Sequence, residues 1–287
     1  MKPSSFEYVA PRSLDEAIHR LTSYAGAAKV LAGGQSLVPL MNLRLASPEV
    51  LIDINGLDEL GGLRAWDGGL SVGALVRQST LERADLVRQR LPLLAEASAL
   101  VGHPANRHRG TVGGSLAHAD PAADYPAAII ALGAEMVAEG PKGKRSIKAD
   151  DFFKGLLTTA LAEDEILTEV RVPALAAKTG AAYMKFPHPA SRFAVVGVAA
   201  VLSVDGGKVG KASVGITGAG TKAVRAKGVE AAITGKGTDA ASIQAAAEKA
   251  AEGVDVQADL QGSVEYKSHL LRVFAKRAME AAAAAVK

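Results

Sequence analysis

Two glycine-centred segments carry the residue types best suited to bind an anionic ligand. We call them loop 1 (Ala32, Gly33, Gly34, Gln35 and Ser36) and loop 2 (Thr111, Val112, Gly113, Gly114 and Ser115). Glycine permits positive φ angles and lets a ligand approach the backbone closely. Successive N–H groups in such a turn form an anion-binding concavity, and the N-terminus of a following helix adds its dipole. Each loop is therefore expected to offer several N–H groups and a serine hydroxyl, and the two together to bind the two phosphates of one dinucleotide.

Taken singly, either loop is typical of an ordinary turn, which is the commoner structure for a Gly-Gly pair. Neither fits the phosphate motifs of well-known spacing. G-x-G-x-x-G is absent from the first strand–helix turn, and no G-x-x-x-x-G-K-[ST] run occurs. A nucleotide bound by these loops therefore requires a fold other than the Rossmann or P-loop fold.

Together, the two loops resemble those of the FAD-binding medium subunits of molybdenum hydroxylases, most closely the aerobic-type carbon monoxide dehydrogenase medium chains. In that family an A-G-G-x-S loop near the N-terminus and a later T-[IV]-G-G-[SND] loop hold the FAD pyrophosphate. This sequence has both, in that order and at a similar separation. Further family-like phrases occur at residues 51–54, 109–110, 119–124, 165–167 and 183–186, so the resemblance covers essentially the whole chain.

The resemblance implies an α+β protein with the two-subdomain FAD-binding fold of the PCMH/vanillyl-alcohol-oxidase type, followed by a C-terminal antiparallel sheet with helices. We assign residues 1–55 and 56–173 to the two FAD-binding subdomains. Residues 174–287 are assigned to a C-terminal flavoprotein domain with a three-stranded sheet and helices. A chain of 287 residues is long enough for more than one structural unit.

Local patterns predict the elements that position loop 1. Ser13 and Glu16 form a capping-box pattern that opens an amphipathic helix. A strand over residues 29–32 leads into loop 1, a helix over residues 37–45 follows it, and residues 50–54 form a buried strand.

Patterns in the rest of the chain predict the elements around loop 2 and those beyond it. In the second unit we expect strands over residues 69–75, 134–139, 145–147 and 166–172 and helices over residues 92–101 and 125–132. A polar run, residues 102–110, leads into loop 2. In the third unit, strands over residues 183–186, 193–204 and 209–217 precede helices over residues 223–233, 241–253 and 264–286.

The resemblance also implies cofactor contacts outside the two loops. In related flavoproteins, the residue at the position of Asp124 hydrogen-bonds part of the FAD. A lysine at the position of Lys185 lies close to the flavin ring, where its charge stabilises the reduced isoalloxazine. Apolar residues at the positions of Ile166 and Leu167 lie against the flavin, and Leu37, directly after loop 1, belongs to the same cofactor-binding set. From the residues alone, Lys185 is a surface lysine and the two apolar residues are core, so both interpretations stay open.

Two positions depart from the family pattern. Carbon monoxide dehydrogenase medium chains often have a tyrosine close to the isoalloxazine at about the position of Phe193. Phenylalanine keeps the stacking surface but lacks the hydroxyl and its hydrogen bond. Shielding of the flavin and burial in the core are both open for this side chain. Gln35 stands where close relatives commonly have histidine, and both changes leave the pyrophosphate cradle intact.

No residue pattern indicates catalysis or metal binding by side chains. His103, His108 and His118 lie in one segment, but their spacing fits no familiar zinc motif and the chain has no cysteine. A G-x-S-x-G nucleophile motif is absent, which argues against a hydrolase. Asp120, which precedes Pro121, is predicted to cap a helix. We therefore predict no catalytic residue and no metal ligand on this chain.

Composition limits the partners and the compartment. Without cysteine the chain can have no disulfide, thiol nucleophile or cysteine-ligated iron–sulfur cluster. The net charge of +3, from scattered basic residues, gives no case for nucleic acid. The N-terminus lacks the apolar core of a signal peptide, and the longest apolar run, residues 193–204, is too short for a membrane span. We expect a cytoplasmic protein, with any attachment to the inner face of the membrane made through its complex.

The resemblance implies an FAD-carrying electron-transfer subunit that passes electrons from a partner's iron–sulfur clusters to an external acceptor. A large molybdenum-cofactor subunit would oxidise the substrate, a small iron–sulfur subunit would carry the clusters, and the assembly would be a dimer of heterotrimers. Two alternatives stay open at this point. One is a stand-alone FAD-dependent reductase of the enolpyruvyl-UDP-sugar reductase type, and the other is a scaffold subunit without cofactor.

Overall fold

A small parallel sheet carries loop 1. The computed structural model describes residues 1–24, 26–66 and 68–286. Three parallel strands lie in the order β1-β3-β2, namely β1 (Glu7–Val9), β2 (Ala28–Leu31) and β3 (Val50–Asp53). Helix α1 (Leu14–Ser23) buries one face in the core of this unit. Ser13 caps its N-terminus, because the Ser13 hydroxyl accepts the N–H of Glu16 at 3.2 Å. The predicted cap is therefore confirmed, although the Glu16 carboxylate accepts the N–H of Arg12 rather than that of Ser13.

Loop 1 lies between the carboxyl end of β2 and the helix α2 (Leu37–Asn42). Carboxyl ends of parallel strands are the usual place for a ligand in an open α/β sheet. The predicted helix over residues 37–45 is too long, because Arg44 adopts a positive φ of 59° and the helix ends before it. The helix is short, so it orients the loop but buries little apolar surface.

The second unit is a five-stranded antiparallel sheet with helices inserted between its strands. Its strand order is β4-β5-β10-β6-β7, with β4 (Leu63–Trp66), β5 (Gly69–Gly73), β6 (Glu135–Gly140), β7 (Gly143–Lys148) and β10 (Ile166–Pro173). A 3-10 turn (Asp58–Leu60) precedes β4. Six helices connect β5 to β6: α3 (Gln78–Arg83), α4 (Asp85–Arg90), α5 (Pro92–Leu100), α6 (Pro104–Arg109), α7 (Val112–His118) and α8 (Asp124–Leu132). Helix α9 (Ala149–Phe152) and a hairpin, β8 (Phe153–Gly155) with β9 (Thr158–Thr159), follow β7.

One sequence prediction in this unit is wrong, and two segments have more helix than the sequence patterns indicated. The polar run at residues 102–110 contains helix α6, and most of loop 2 is the first turn of helix α7. Asp120 caps no helix, because its carboxylate accepts the N–H of Ala122 at 2.8 Å in a local turn, and α8 begins later, after Ala123.

The third unit is an antiparallel sheet covered by helices. Its strands lie in the order β11 (Thr179–Pro187), β12 (Ala194–Asp205), β13 (Lys208–Thr217) and β14 (Val224–Arg225). Helices α10 (Lys227–Ile233), α11 (Ala240–Ala247) and α12 (Val264–Ala284) pack on it. Within the described residues this sheet has four strands rather than the predicted three, since residues 224–225 pair with the exposed edge of β13 before α10 starts. Lys287, which closes the predicted C-terminal domain, lies outside the described residues.

Helix α8 joins the second unit to the third. All of its residues are buried, as expected for a helix that is apolar on every side. It lies directly against β13: a Cβ placed on Gly215 would be 2.2 Å from the carbonyl oxygen of Ala127. This close contact fixes the first residue of the helix, Asp124, at the junction of the two units.

Candidate functional site

Loop 1 is a run of unused hydrogen-bond donors. Within the described part of the chain, the N–H groups of residues 33 to 37 donate to no acceptor. The first backbone bond after them runs from the N–H of Val38 to the carbonyl of Gly34 at 3.1 Å, where α2 begins. Gly34 has a φ of 71°, which turns the chain so that neighbouring N–H groups converge. Backbone donors left free in this way form a concavity that binds phosphate.

Loop 2 differs from the prediction, because most of its N–H groups are already used. Val112 and Gly113 donate to the carbonyls of Val76 and Ala74, at 3.1 and 2.9 Å. The N–H of Gly114 donates to the hydroxyl of Thr111 at 3.1 Å, and that of Ser115 to the Thr111 carbonyl. The N–H groups in the first turn of α7 are thus already bonded, two to the segment after β5 and two to the capping residue Thr111. Loop 2 brings a helix N-terminus and the Ser115 hydroxyl, while loop 1 brings the free N–H donors.

The two loops lie in direct contact. A Cβ on Gly33 would lie 2.5 Å from the carbonyl oxygen of Arg109 and 2.7 Å from the Cα of Gly110. Only glycine allows so close an approach of loop 1 to the residues that lead into loop 2. Gly113 is required for a similar reason, since its Cβ would lie 2.4 Å from the Cβ of Ala74. The sequence prediction that both loops bind one ligand therefore has a geometric basis.

The Gln35 side chain adds a further link between the loops. Its Nε2 donates to the carbonyl of Gly33 at 3.2 Å, and its Oε1 accepts the Nδ2–H of Asn106 on α6 at 3.0 Å. A side-chain amide carries both a donor group and an acceptor oxygen, and this site uses both. Glutamine at this position thus holds loop 1 against the segment that leads into loop 2.

Replacing Thr111 by valine should destabilise the protein by about 1 kcal/mol, because valine keeps the shape of threonine but cannot accept the Gly114 N–H. FAD affinity should fall several-fold, since the first turn of α7 frays. Urea denaturation and flavin titration measure the two effects. Ser263→Ala is the matched control: Ser263 caps α12 in the same way, at 3.2 Å from the Tyr266 N–H, so its loss should lower stability alone. Equal flavin affinity in both variants would contradict the prediction.

A buried ion pair lies at the start of α8. The Nζ of Lys185 on β11 lies 2.8 and 2.9 Å from the two carboxylate oxygens of Asp124 and donates to the carbonyl of Leu100 at 2.9 Å. The Tyr183 hydroxyl donates to the same carboxylate at 2.7 Å. The side chains of Lys185 and Asp124 are 1% and 3% exposed. The structure thus corrects the view of Lys185 as a surface lysine and joins it to Asp124.

Burial dominates the electrostatics of this cluster. It raises the pKa of Asp124 and lowers the pKa of Lys185, and the charge of each partner opposes the shift of the other. Burial and the neighbouring carboxylate also raise the pKa of Tyr183, which keeps its hydroxyl protonated as a donor. Such a pair is stable only while both partners are present.

Phe193 lies in the connection between β11 and β12 with 45% of its surface exposed. The preceding residue, Arg192, has a positive φ of 61° and donates from Nε to the carbonyl of Gly102 at 3.1 Å. This bond brings the connection over the segment between α5 and α6. It lies close to the Leu100 carbonyl, which accepts the bond from Lys185 Nζ. Phe193 therefore offers an aromatic face rather than filling the core, and its contact with the flavin stays a prediction.

Ile166 and Leu167 are buried in two different cores. Ile166 belongs to the cluster of the first unit, together with Leu75, and Leu167 belongs to the central cluster. Neither side chain is open to solvent, so a role as cofactor contacts stays a prediction for both.

Glu165, which directly precedes Ile166 and Leu167, provides a test based on the pH dependence of stability. A hydrogen bond from Arg145 lowers the pKa of Glu165, despite its burial, through a two-pronged contact at 2.6 and 2.7 Å. A carboxylate with a lowered pKa stabilises the fold above its unfolded pKa, and this contribution is lost as the pH falls through the folded value. Glu165→Gln should therefore cost about 1 kcal/mol at neutral pH. Denaturation curves should show this deficit shrinking below about pH 4. A constant deficit at every pH would contradict the ionic origin, and exposed Glu163→Gln is the control.

Among the described residues, His103, His108 and His118 belong to no group of candidate metal ligands. The described residues contain no cluster of three or more histidine and acidic side chains that could hold a metal ion. His103 contacts the carbonyl oxygen of Ala190 through Nε2 at 3.2 Å, in the same connection as Phe193. The described helices also include none that is both long and apolar enough to span a membrane.

Asn55 contacts loop 1 and Arg77 contacts the backbone just before loop 2, although sequence patterns indicated neither residue. Asn55 donates to the carbonyl of Ala32 at 2.7 Å, and Arg77 donates to the carbonyl of Arg109 at 2.6 Å. Asn55 directly follows the family-like phrase at residues 51–54, and this position was only a weak signal in the sequence. Arg77 stands in no motif, so only the structure reveals it.

The fold, taken together with two family matches, defines a flavoprotein. Residues 4–175 match the family of the FAD binding domain in molybdopterin dehydrogenase, and residues 181–282 match the CO dehydrogenase flavoprotein C-terminal domain. This chain belongs to the family of FAD-binding medium subunits of molybdenum hydroxylases. Its cofactor is FAD, and it is part of an oxidoreductase, as predicted.

Similar proteins cover the whole chain. The carbon monoxide dehydrogenase medium chain of Hydrogenophaga pseudoflava is 42% identical over 98% of both chains. A subunit of the 6-hydroxypseudooxynicotine dehydrogenase complex of Paenarthrobacter nicotinovorans is 36% identical over 97% of this chain and 95% of that one. The solved carbon monoxide dehydrogenase of H. pseudoflava matches with a TM-score of 0.97 and 43% identity over all of both chains. The predicted fold class is confirmed.

Proposed function

We propose that this chain binds FAD between loop 1 and the N-terminus of α7 and receives electrons there from a partner subunit. The observation that carries the proposal is the run of free N–H groups at residues 33–37, held against the segment that leads into loop 2. A pyrophosphate supplies the acceptors that these donors lack. The residues present fit the cofactor that the family carries.

Each part of the predicted site has a separate task in this proposal. Residues 32–37 and 111–115 bind the pyrophosphate. Asp124 and Lys185 provide fixed charges beside the ring system, with Tyr183 and the Leu100 carbonyl holding them in place. Phe193, with its exposed aromatic face, and the apolar residues Ile166 and Leu167 would contact the flavin. The proposal keeps the three units assigned from the sequence, namely residues 1–55 and 56–173 as the FAD-binding subdomains and residues 174–287 as the C-terminal domain.

When bound, FAD would supply the redox chemistry of the subunit, which is the transfer of electrons from iron–sulfur clusters to an external acceptor. The chain's own residues bind and orient it, and none is required as an acid or base. Since this chain has no cysteine, the clusters belong to another subunit. We infer a large molybdenum-cofactor subunit and a small iron–sulfur subunit, assembled as a dimer of heterotrimers.

The substrate is a property of the partners in this proposal. The two relatives described above act in enzymes named for carbon monoxide and for 6-hydroxypseudooxynicotine, although both resemble this chain along its length. Similar flavin subunits thus serve different substrates. The family match favours this function over a stand-alone reductase or a cofactor-free scaffold. The cytoplasmic location, with any membrane attachment through the complex, remains a prediction.

An absorption spectrum tests the proposal directly. The purified chain is incubated with FAD, desalted and measured, alone and after co-expression with its molybdenum and iron–sulfur partners. We expect flavin absorption at one FAD per chain, and reduction of that flavin when the assembled complex receives substrate. Absence of flavin from the assembled complex would overturn the proposal.

A further inference from the structure

A series of hydrogen-bonded side chains connects the two phosphate-binding loops. Asn55, just beyond β3, donates from Nδ2 to the carbonyl of Ala32 at 2.7 Å. The Oδ1 of the same amide accepts from Nη2 of Arg77 at 2.7 Å, and Nη1 of Arg77 donates to the carbonyl of Arg109 at 2.6 Å. One guanidinium thus connects the start of loop 1, through Asn55, to the backbone just before loop 2.

The backbone of Arg77 is itself paired with loop 2. Arg77 and Thr111 form an isolated antiparallel bridge, with the N–H of Gln78 donating to Gly110 at 2.9 Å and that of Val112 donating to Val76 at 3.1 Å. Arg77 therefore moves with loop 2, while Asn55 moves with the first sheet. The only described side chain that bonds both the Asn55 amide and the Arg109 carbonyl is Arg77.

The Asn55 end of this hydrogen-bonded series is also held in place. Asp53 accepts from the N–H and Nδ2–H of Asn55 at 2.9 and 2.6 Å and from the Tyr8 hydroxyl at 2.6 Å. Burial raises the pKa of Asp53, but the bonds from Tyr8 and Asn55 and the charge of Arg109 lower it further, so the carboxylate stays ionised. An ionised acceptor fixes the amide orientation of Asn55, with its oxygen turned to Arg77.

We propose that Asn55 and Arg77 form a latch that sets the distance between the two loops, and that Arg77 is a positioning residue for FAD. This inference rests on the proposed function, and it assigns a role to two residues outside the cradle. The latch itself leaves the N–H groups of residues 33–37 free. Its effect is to hold these donors and the Ser115 hydroxyl at the separation that one pyrophosphate requires.

The test measures FAD binding and apo stability separately. In Arg77→Met both guanidinium bonds are lost, and flavin titration should show FAD affinity lower by about 10-fold to 100-fold. Arg77→Lys should recover little of it, because an ammonium cannot reproduce the forked geometry. Arg83→Met, an exposed arginine of the adjacent helix α3, is the matched control and should bind FAD as the wild type does. Hydrogen exchange of apo Arg77→Met should quicken at residues 109–115.

A double-variant cycle separates a latch from two unrelated contacts. Asn55→Ala and Arg77→Met act on one connection, so the double variant should lose no more affinity than the weaker-binding single variant. Additive losses would overturn the latch. So would wild-type affinity in Arg77→Met, or an affinity loss that is fully explained by a lower population of folded apo protein. If the wild type binds no FAD in its complex, the proposed function fails instead, which keeps the two failures distinct.

Discussion

Gly33→Val is expected to abolish FAD retention. A Cβ at this position would lie 2.5 Å from the Arg109 carbonyl oxygen, a backbone atom that cannot rotate away, and valine adds two more methyl groups. Loop 1 must then move away from loop 2, which separates the free N–H groups of residues 33–37 from the N-terminus of α7. We expect affinity to fall by at least about 100-fold, equivalent to roughly 2.8 kcal/mol. The measurement is the flavin absorbance that remains after desalting.

Two further glycine variants make this result specific. Gly56→Ala places a Cβ where no atom lies within 4 Å and should retain FAD fully. Gly34→Ala should give an intermediate loss, because φ at this position is 71° and the nearest atom is a movable methyl of Val38 at 3.2 Å. Circular dichroism and thermal unfolding establish that each variant folds. Full FAD retention by folded Gly33→Val would contradict the contact between the loops as the basis of the cradle.

Lys185→Met is expected to give the largest loss of stability. The variant leaves the Asp124 carboxylate buried, with the Tyr183 hydroxyl but without a cation, and losing one partner of a buried pair costs about 3–5 kcal/mol. Its flavin affinity should also fall, because Asp124 lies at the proposed ring site. Urea denaturation and flavin titration at neutral pH measure the two effects.

The pH dependence of this variant follows from the sign of the shift. Without Lys185, burial raises the pKa of Asp124 further above its unfolded value, so the folded state binds a proton more tightly than the unfolded state. The stability deficit should therefore be largest at neutral pH and shrink as the pH falls toward about 4, the pKa of an unfolded aspartate. A deficit that grows on acidification would contradict this account.

Lys267→Met is the matched control for Lys185→Met. Lys267 is also a buried lysine, 2% exposed and 2.6 Å from Asp259, but Asp259 is 49% exposed. Water can solvate that carboxylate when the lysine is lost, so the stability cost should be smaller, and FAD binding should be unchanged. The double variant Lys185→Met with Asp124→Asn should recover part of the lost stability because no buried charge remains. Equal costs for the two lysines would show that burial of the partner carboxylate does not matter.

The sequence predicted the fold well where the signal was local. The Ser13 cap, the strand before loop 1 and the long strands of the third unit are set by neighbouring residues and by period-2 or helical patterns. It failed where a choice between competing hydrogen-bond partners decided the outcome. Residues 224–225 became a strand because the edge of β13 was available, and Asp120 formed a local turn instead of a helix cap. Such choices depend on which hydrogen-bond donor or strand edge is free in the folded chain, and residue types alone do not determine that.

What the sequence determined by itself was the chemistry of the cradle: two glycine loops in a fixed order, each with a serine, and no cysteine to ligate a cluster. Only the tertiary structure decided which loop has free donors. The first N–H groups of α7 are bonded within the protein, while those of loop 1 remain free. It also decided the partners of Lys185 and the connection from Asn55 to Arg77. The physical reason is that hydrogen-bond partners and burial depend on which distant segments meet, and local spacing carries no record of that.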